Sequence, residues 1–355
     1  MGGICHRVRR AEAAIFPAMS SHSTDIAIIG AGPVGLFAVF EAGMLGLSCH
    51  VLDALDHPGG QCTALYPEKP IYDIPGHPRI DAGVLVDRLV EQAAPFKPVY
   101  HMGGRVERLR QQDGRWHLET DKAVRVEAGA LIVAAGGGAF GPNRPPLAGI
   151  DRYEGNGVCY LVRRREDYRG KRVVIAGGGD SAVDWANSLA EVAAQIYMVH
   201  RRPKFRAAPE SVKRMEALAA EGRIELVVPY QLDSLEGDGA KLTGVGVATL
   251  DGDKRMIAAD ALLPFFGLSM ELGPIAEWGL ELDHKHIRVD PATCATSARG
   301  IYAIGDIIAY PGKLKLILSG FAEAAAAAHA IRAYLRPDVP LHFEYSTTKG
   351  VPGAA

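Results

Sequence analysis

The stretch that decides the fold is TDIAIIGAGPVG, residues 24–35, read together with CHVLD at 49–53. Residues 24–29 form a short apolar run with strand character. It stops at Gly30, and a helical pattern follows as far as 45 before a second apolar run ends at Asp53. Strand, glycine turn, helix and strand in that order make the βαβ unit of a parallel sheet. Gly30, Gly32, Pro33 and Gly35 lie in a G-x-G-x-x-G turn. In such a turn the first glycine permits the tight bend and the second lets a pyrophosphate approach the backbone. The third allows the helix to close on the strand, while amides at the helix N-terminus face the diphosphate charge. Asp53 follows at the end of the next strand, where a carboxylate accepts the ribose hydroxyls of an adenosine.

The same grammar recurs further along. KRVVIA (171–176) leads into Gly177-Gly178-Gly179-Asp180-Ser181-Ala182, a G-x-G-x-x-A, then a helical run and the strand QIYMVH (195–200). Where an NAD site would place an acid after that strand, this sequence has His200-Arg201-Arg202, with Arg206 close behind. A carboxylate there would repel a 2′-phosphate, whereas guanidinium groups bond it bidentately. The second unit is therefore read as an NADP(H) site, with Gly177, Gly179, Asp180, Ser181, Ala182, His200, Arg201, Arg202 and Arg206 as its residues.

Between the two units, alternation around Asp113-Gly114 reads as a hairpin. A third apolar run, RGIYAIGD (299–306), brings Asp306 to a strand end, where flavin enzymes set an acid on the ribityl chain. An Ala-rich helix is expected over roughly 314–335 before Pro337. The simplest arrangement is α/β, with two Rossmann-like three-layer domains and the second inserted into the first. The expected boundaries are a disordered extension at 1–22, a first domain at 23–136 and 288–337, a second at 137–287, and a tail at 338–355. The Gly/Pro-rich stretch at 136–146 is read as the linker.

Totals narrow the class. Of 355 residues, 48% are apolar and 23% charged, and the net charge of −2 gives no reason to expect nucleic acid or a membrane as partner. The five cysteines are Cys5, Cys49, Cys62, Cys159 and Cys294, and no two form C-x-x-C. That pattern argues against a disulfide scaffold and against a zinc site, and it fits a reducing cytoplasm. Residues 1–22 lack the long apolar core of a secretory signal and are read as a tail or an upstream start, with Met19 as the alternative initiator.

GGQCTALYPEKPIYDIPGHP (59–78), GGGDSAVDWA, HRRPKFRA and GIYAIGD resemble the thioredoxin-reductase-like ferredoxin–NADP reductases, over essentially all of 24–350. The resemblance implies a two-domain FAD enzyme, usually homodimeric. Such an enzyme passes electrons between NADPH and ferredoxin or flavodoxin by hydride transfer to flavin N5 and single-electron release. No catalytic acid, base or nucleophile is required.

It also implies roles residue by residue. Asp53 stands where the family usually has Glu on the adenosine ribose. Gln61 lies near the flavin and Tyr66 stacks on its ring. Val106 and Phe140 match adenine-side and linker contacts, and Asp306 and Thr347 match late FAD contacts. The tail implies a covering ring at Tyr345 on the partner subunit's flavin, with the tail or a domain moving aside to admit nicotinamide. Thioredoxin reductases proper carry a C-A-x-C in the second domain. Here Cys159 stands alone, so dithiol cycling by that route is excluded. Cys62 is read as a packed small residue. Arg163, Arg164, Arg165 and Lys204 are candidates for docking an acidic partner. Another acceptor, such as a quinone, and a non-catalytic NADP(H) sensor are the alternatives.

Overall fold

The computed structural model describes residues 21–340 and 350–351, with the side chains at 21, 139, 140, 268 and 269 outside that description. Strand β1 (Ser21–Ile29), helix α1 (Pro33–Met44) and strand β2 (Cys49–Asp53) form the expected unit, with β1 and β2 parallel in the register Ile26↔Cys49 to Ile29↔Leu52. β1 begins at Ser21, two residues ahead of the expected start of the first domain. Ser21, His22 and Ser23 pair with Arg125, Val126 and Glu127 and gain ladder hydrogen bonds that no hydrophobic pattern announces. The remainder of the expected extension lies outside the described residues.

The first sheet has seven strands, in the order Val99–Met102, β2, β1, Arg125–Val133, Arg115–Thr120, Val106–Gln112, with Ile301–Ala303 also on Arg125–Val133. The Arg125–Val133 strand serves two neighbours along one edge. Its first half pairs antiparallel with Arg115–Thr120, and its last three residues pair parallel with Ile301–Ala303. That division is how the chain, having left the sheet after Val133, re-enters it. The hairpin turns at Asp113 (φ 51°) and Gly114 (φ 76°), two positive φ values that match the strand twist.

One face of this sheet is covered by α1 and by the helix Ile317–Leu335, which starts three residues later than the Ala-rich pattern suggests. Ile26, Ile28, Ala130 and Ile132 meet Ala38, Val39 and Ala42 of α1 and Ala324, Ala327 and Ile331 of the last helix. The small side chains let the two helices lie close, and Gly320 has no room for a Cβ beside Val34.

The second unit centres on Arg172–Ala176, parallel to both Gln195–Val199 and Ala261–Pro264, with Ile224–Val227 outside and an antiparallel three-stranded sheet from 231 to 258. The stretch read as the linker holds a short strand. Ala139–Pro142 pairs antiparallel with Leu268–Glu271, because outbound and returning passes run side by side and satisfy each other's backbone groups. The domains also touch directly. Lys69 pairs with Asp184 at 3.0 Å, and the Arg165 amide donates to Glu68 at 2.8 Å.

Arg172 and Asp260 tie the start of the central strand to the loop before Ala261–Pro264, with bonds to the carboxylate from the Arg172 amide (2.9 Å), Nε (3.1 Å) and Nη2 (2.8 Å). These bonds hold the Asp260 carboxyl down at about 2. A depressed carboxyl stabilises the fold above its unfolded value of about 3.9, and that contribution is lost as pH falls through about 2. Both side chains are partly exposed, so screening limits the effect to about 1 kcal/mol. Asp260→Asn is expected to lower the urea midpoint at pH 7, with the gap to wild type closing between pH 4 and pH 2.

Candidate functional site

At the C-terminal ends of β1, β2, Arg125–Val133 and Ile301–Ala303 lies a cavity of about 410 Å³. Its floor is the first glycine turn. Gly30 has φ +111°, and a Cβ there would sit 2.3 Å from the Ala134 carbonyl oxygen. A Cβ on Gly35 would sit 2.0 Å from the Gly30 oxygen, so α1 rests on the turn only because both are glycine. Gly32 differs. Its φ of −69° suits any residue, and a Cβ there would meet nothing within 4 Å. Neither backbone strain nor protein contact explains that glycine. Pro33 opens the helix, no side chain caps it, and its first turn carries no acid, as an anion at the helix N-terminus requires.

Asp53 stands at the rim. Its Oδ2 accepts from the Ala31 amide at 2.6 Å and its Oδ1 from the Leu55 amide at 2.8 Å. Burial raises its pKa, and those amides work against the rise. The carboxylate therefore braces the turn, and each oxygen keeps a lone pair for a hydroxyl. Gly59 and Gly60, at φ 116° and 56°, bring the helix Gln61–Ala64 against the turn, with the Gly59 amide donating to the Ala31 oxygen at 2.8 Å. Gln61, Tyr66, Val106 and Asp306 all line the same cavity. The Cys62 thiol is buried and pushed up to about 11 by desolvation, so it stays protonated and packs as a small residue. The side chain of Phe140 and all of Tyr345 and Thr347 lie outside the described residues.

Two features of this cavity are not legible in the sequence. Glu323, buried on the last helix, accepts from the Gly305 amide (2.8 Å), Tyr310 Oη (2.8 Å) and Lys313 Nζ (2.5 Å), fixing the turn that presents Asp306. A lone acid inside FAEAAAAAHA is the available signal. Trp278 also lines the cavity, and its indole N–H is buried without a partner among the described residues.

A second cavity of about 560 Å³ lies between the domains, lined among others by Asp180, Ser181, Asp184, Trp185 and Phe265. The second glycine turn repeats the logic of the first. Gly177 leaves no room for a Cβ, which would sit 2.6 Å from the Phe265 oxygen, while Gly179 at φ −99° faces open space and begins the helix Asp180–Leu189 uncapped. Ala182 is buried below the turn. The Asp180 carboxylate is taken by the Ala208 amide at 2.8 Å.

His200 lies beside the second turn. It is buried, its ring covers Gly178 and stacks on Phe205 with centroids 5.0 Å apart, and burial lowers its pKa. Arg201, Arg202 and Arg206 are exposed beside it, and the Arg206 amide donates to the Gly178 oxygen at 2.7 Å. In the Arg163–Arg165 run, Arg163 and Arg164 are exposed and Arg165 is tied down. Arg165 bonds Glu191 at 2.6 Å, and Arg164 lies 4.0 Å from Asp167. The two cavities share the wall formed by Gln61, Tyr66, Leu316 and Ile317.

Two glycine turns opening onto a shared wall define a dinucleotide-handling oxidoreductase architecture. The chain belongs to the pyridine nucleotide-disulphide oxidoreductase family, whose model matches residues 24–330. It is 64% identical to a ferredoxin–NADP reductase of Paramagnetospirillum magneticum, across 94% of this chain and 99% of that one. It is 60% identical to that of Rhodospirillum rubrum, across 93% and 97%. Among solved structures it is similar to the T. acidophilum thioredoxin reductase, with TM-score 0.78, 25% identity and coverage of 88% and 99%.

The two kinds of glycine predict opposite phenotypes. Gly32→Ala is expected to leave the melting temperature of the flavin-free protein unchanged but to lower flavin affinity by about tenfold or more, since the new methyl group occupies the space kept for the ligand. Gly35→Ala is expected to destabilise the fold by about 3 kcal/mol, because α1 must move off the strand. Thermal denaturation of apoprotein together with flavin titration separates the two.

Proposed function

We propose that this chain is an FAD-dependent reductase that moves electrons between NADP(H) and ferredoxin. The observation that supports the reading is the wall that the two cavities share, with Gln61 and Tyr66 in it. The relatives' names supply the acceptor class. FAD, when bound, accepts a hydride and releases electrons singly to a one-electron carrier.

The chain's own residues bind and orient. Gly30, Gly32 and Gly35 with the start of α1 would hold the FAD diphosphate, Asp53 the ribose and Asp306 the ribityl chain, with Gln61 and Tyr66 against the ring. Gly177, Gly179, Ser181 and Ala182 would hold the NADP(H) diphosphate, and Arg201, Arg202 and Arg206 the 2′-phosphate. His200 and Asp180 serve that site indirectly, the first beneath the turn and the second as a tether of the loop at 208. Tyr66 is half-buried, and desolvation raises its pKa, so its phenol stays neutral at the wall between the cavities. Flavodoxin would serve as a second one-electron partner.

The same reading extends to the assembly. It takes the chain as a cytoplasmic homodimer, with the boundaries at 136/137 and 287/288 and a tail bearing Tyr345 and Thr347 over the flavin. Exposed Leu314, Leu316 and Leu318 beside the first cavity support a covering partner. No helix among the described residues is long and apolar enough to cross a membrane.

Anaerobic stopped-flow absorbance with NADPH, followed by oxidised ferredoxin, tests the reading. Flavin bleaching and then recovery as ferredoxin is reduced is the expected result. Bleaching without recovery would remove the acceptor, and no bleaching would remove the reaction. Replacing Arg201 and Arg202 by Ala is expected to raise the KM for NADPH roughly 100-fold, since each bond to a charged group contributes about 1.5–3 kcal/mol. The KM for NADH should barely move.

A further inference from the structure

Three adjacent strands of the first sheet, β1, β2 and Val99–Met102, each contribute one histidine to a cluster away from both glycine turns: His22, His50 and His101. One ring nitrogen from each lies within 4.8 Å of the other two, and His50 Nδ1 is 3.0 Å from His101 Nε2. His50 is buried, and His22 and His101 are half-buried. The ring centroids make a nearly equilateral triangle, 5.4 Å (22–50), 4.7 Å (22–101) and 5.1 Å (50–101), with the planes tilted 54°, 52° and 37° rather than stacked.

That triangle has a specific chemical match. A tetrahedral Zn²⁺ with Zn–N of about 2.0–2.1 Å places its ligand nitrogens roughly 3.3 Å apart and the ring centroids of three imidazoles roughly 5 Å apart. Rings fanned about a common point satisfy this, and face-to-face stacking does not. Among the described residues no carboxylate is hydrogen-bonded to any of the three, so nothing there favours a cluster of imidazolium ions. Burial lowers the pKa of His50 and brings His101 down to about 4. A neutral imidazole retains one unprotonated nitrogen, the form in which it binds a metal.

We propose that His22, His50 and His101 form a binding site for a late first-row divalent metal, with Zn²⁺ the natural occupant and water completing the coordination. Imidazole nitrogens suit zinc, copper and nickel and do not suit calcium or magnesium. The cysteine pattern points away from zinc, and this site uses no cysteine. Bound metal would tie β1, β2 and Val99–Met102 together through their side chains.

The test is isothermal titration of Zn²⁺ into tag-free holoenzyme stripped with chelator, with melting temperature followed in parallel. Saturable uptake of one Zn²⁺ per chain is expected, with a higher melting temperature when it is bound. The half-buried His22 and His101 are the positions to replace, because exchanging the buried His50 would also disturb the packing of β2. His22→Ala and His101→Ala should each weaken uptake by about tenfold or more, since even supporting contacts of a metal ligand matter to that extent. His57→Ala, an exposed histidine outside the cluster, should change nothing. Flavin content and NADPH oxidation should be as in wild type in all three variants, so the site is read out independently of the reductase reaction. Absence of saturable 1:1 uptake, or uptake unchanged in both cluster variants, would overturn the proposal.

Discussion

The rest of the molecule depends on one close approach: α1 sits on the end of β1 with backbone against backbone, because Gly30 and Gly35 leave no Cβ between them. That approach sets the helix N-terminus at the mouth of the sheet, where its unpaired amides form a positive end of about half a charge. Asp53 completes the arrangement by bonding the Ala31 and Leu55 amides, so β2 and the turn move as one piece. The same construction at Gly177 and Gly179 gives the second unit its own anion-facing turn. Two copies of one local solution then need only be held facing each other.

Holding Asp306 in place takes a different kind of interaction. Its strand returns to the sheet after the inserted domain, and its turn requires a positive φ at Gly305. Glu323 fixes that turn from beneath, with Lys313 balancing its charge; each side chain is only 6% exposed. Removing one partner of such a pair strands the other charge, at about 3–5 kcal/mol, so the ion pair acts more as a constraint on position than as a source of stability. Placing it directly under the acid that faces the cavity gives that corner a single geometry.

What the sequence reveals follows from the range of the interactions. The two glycine turns and the place of Asp53 at a strand end are readable because each is built within one βαβ unit, where spacing fixes geometry. Glu323 and the ribbon of Ala139–Pro142 with Leu268–Glu271 are not, since their partners lie outside any one βαβ unit, and Trp278 reaches the cavity only through the tertiary fold. The buried place of His200 is hidden for a related reason. Its neighbours in sequence are arginines, while its neighbours in space are Gly178 and Phe205. The histidines at 22, 50 and 101 are adjacent only through the strand order, which no local pattern encodes.

The ribbon also determines how the two halves can be coupled. Four residues a side make a two-stranded element, too little to fix an orientation on its own. Orientation therefore falls to direct contacts, namely Lys69 with Asp184, the Arg165 amide with Glu68, and Tyr66 against the core of the second domain. All three come from the 66–69 stretch on one side, the segment that follows the helix carrying Gln61. The residues that line both cavities thus include the one that docks the domains, so turning one domain against the other must reshape the wall between the cavities. Access to that wall and the docking of the second domain are, in this architecture, a single degree of freedom.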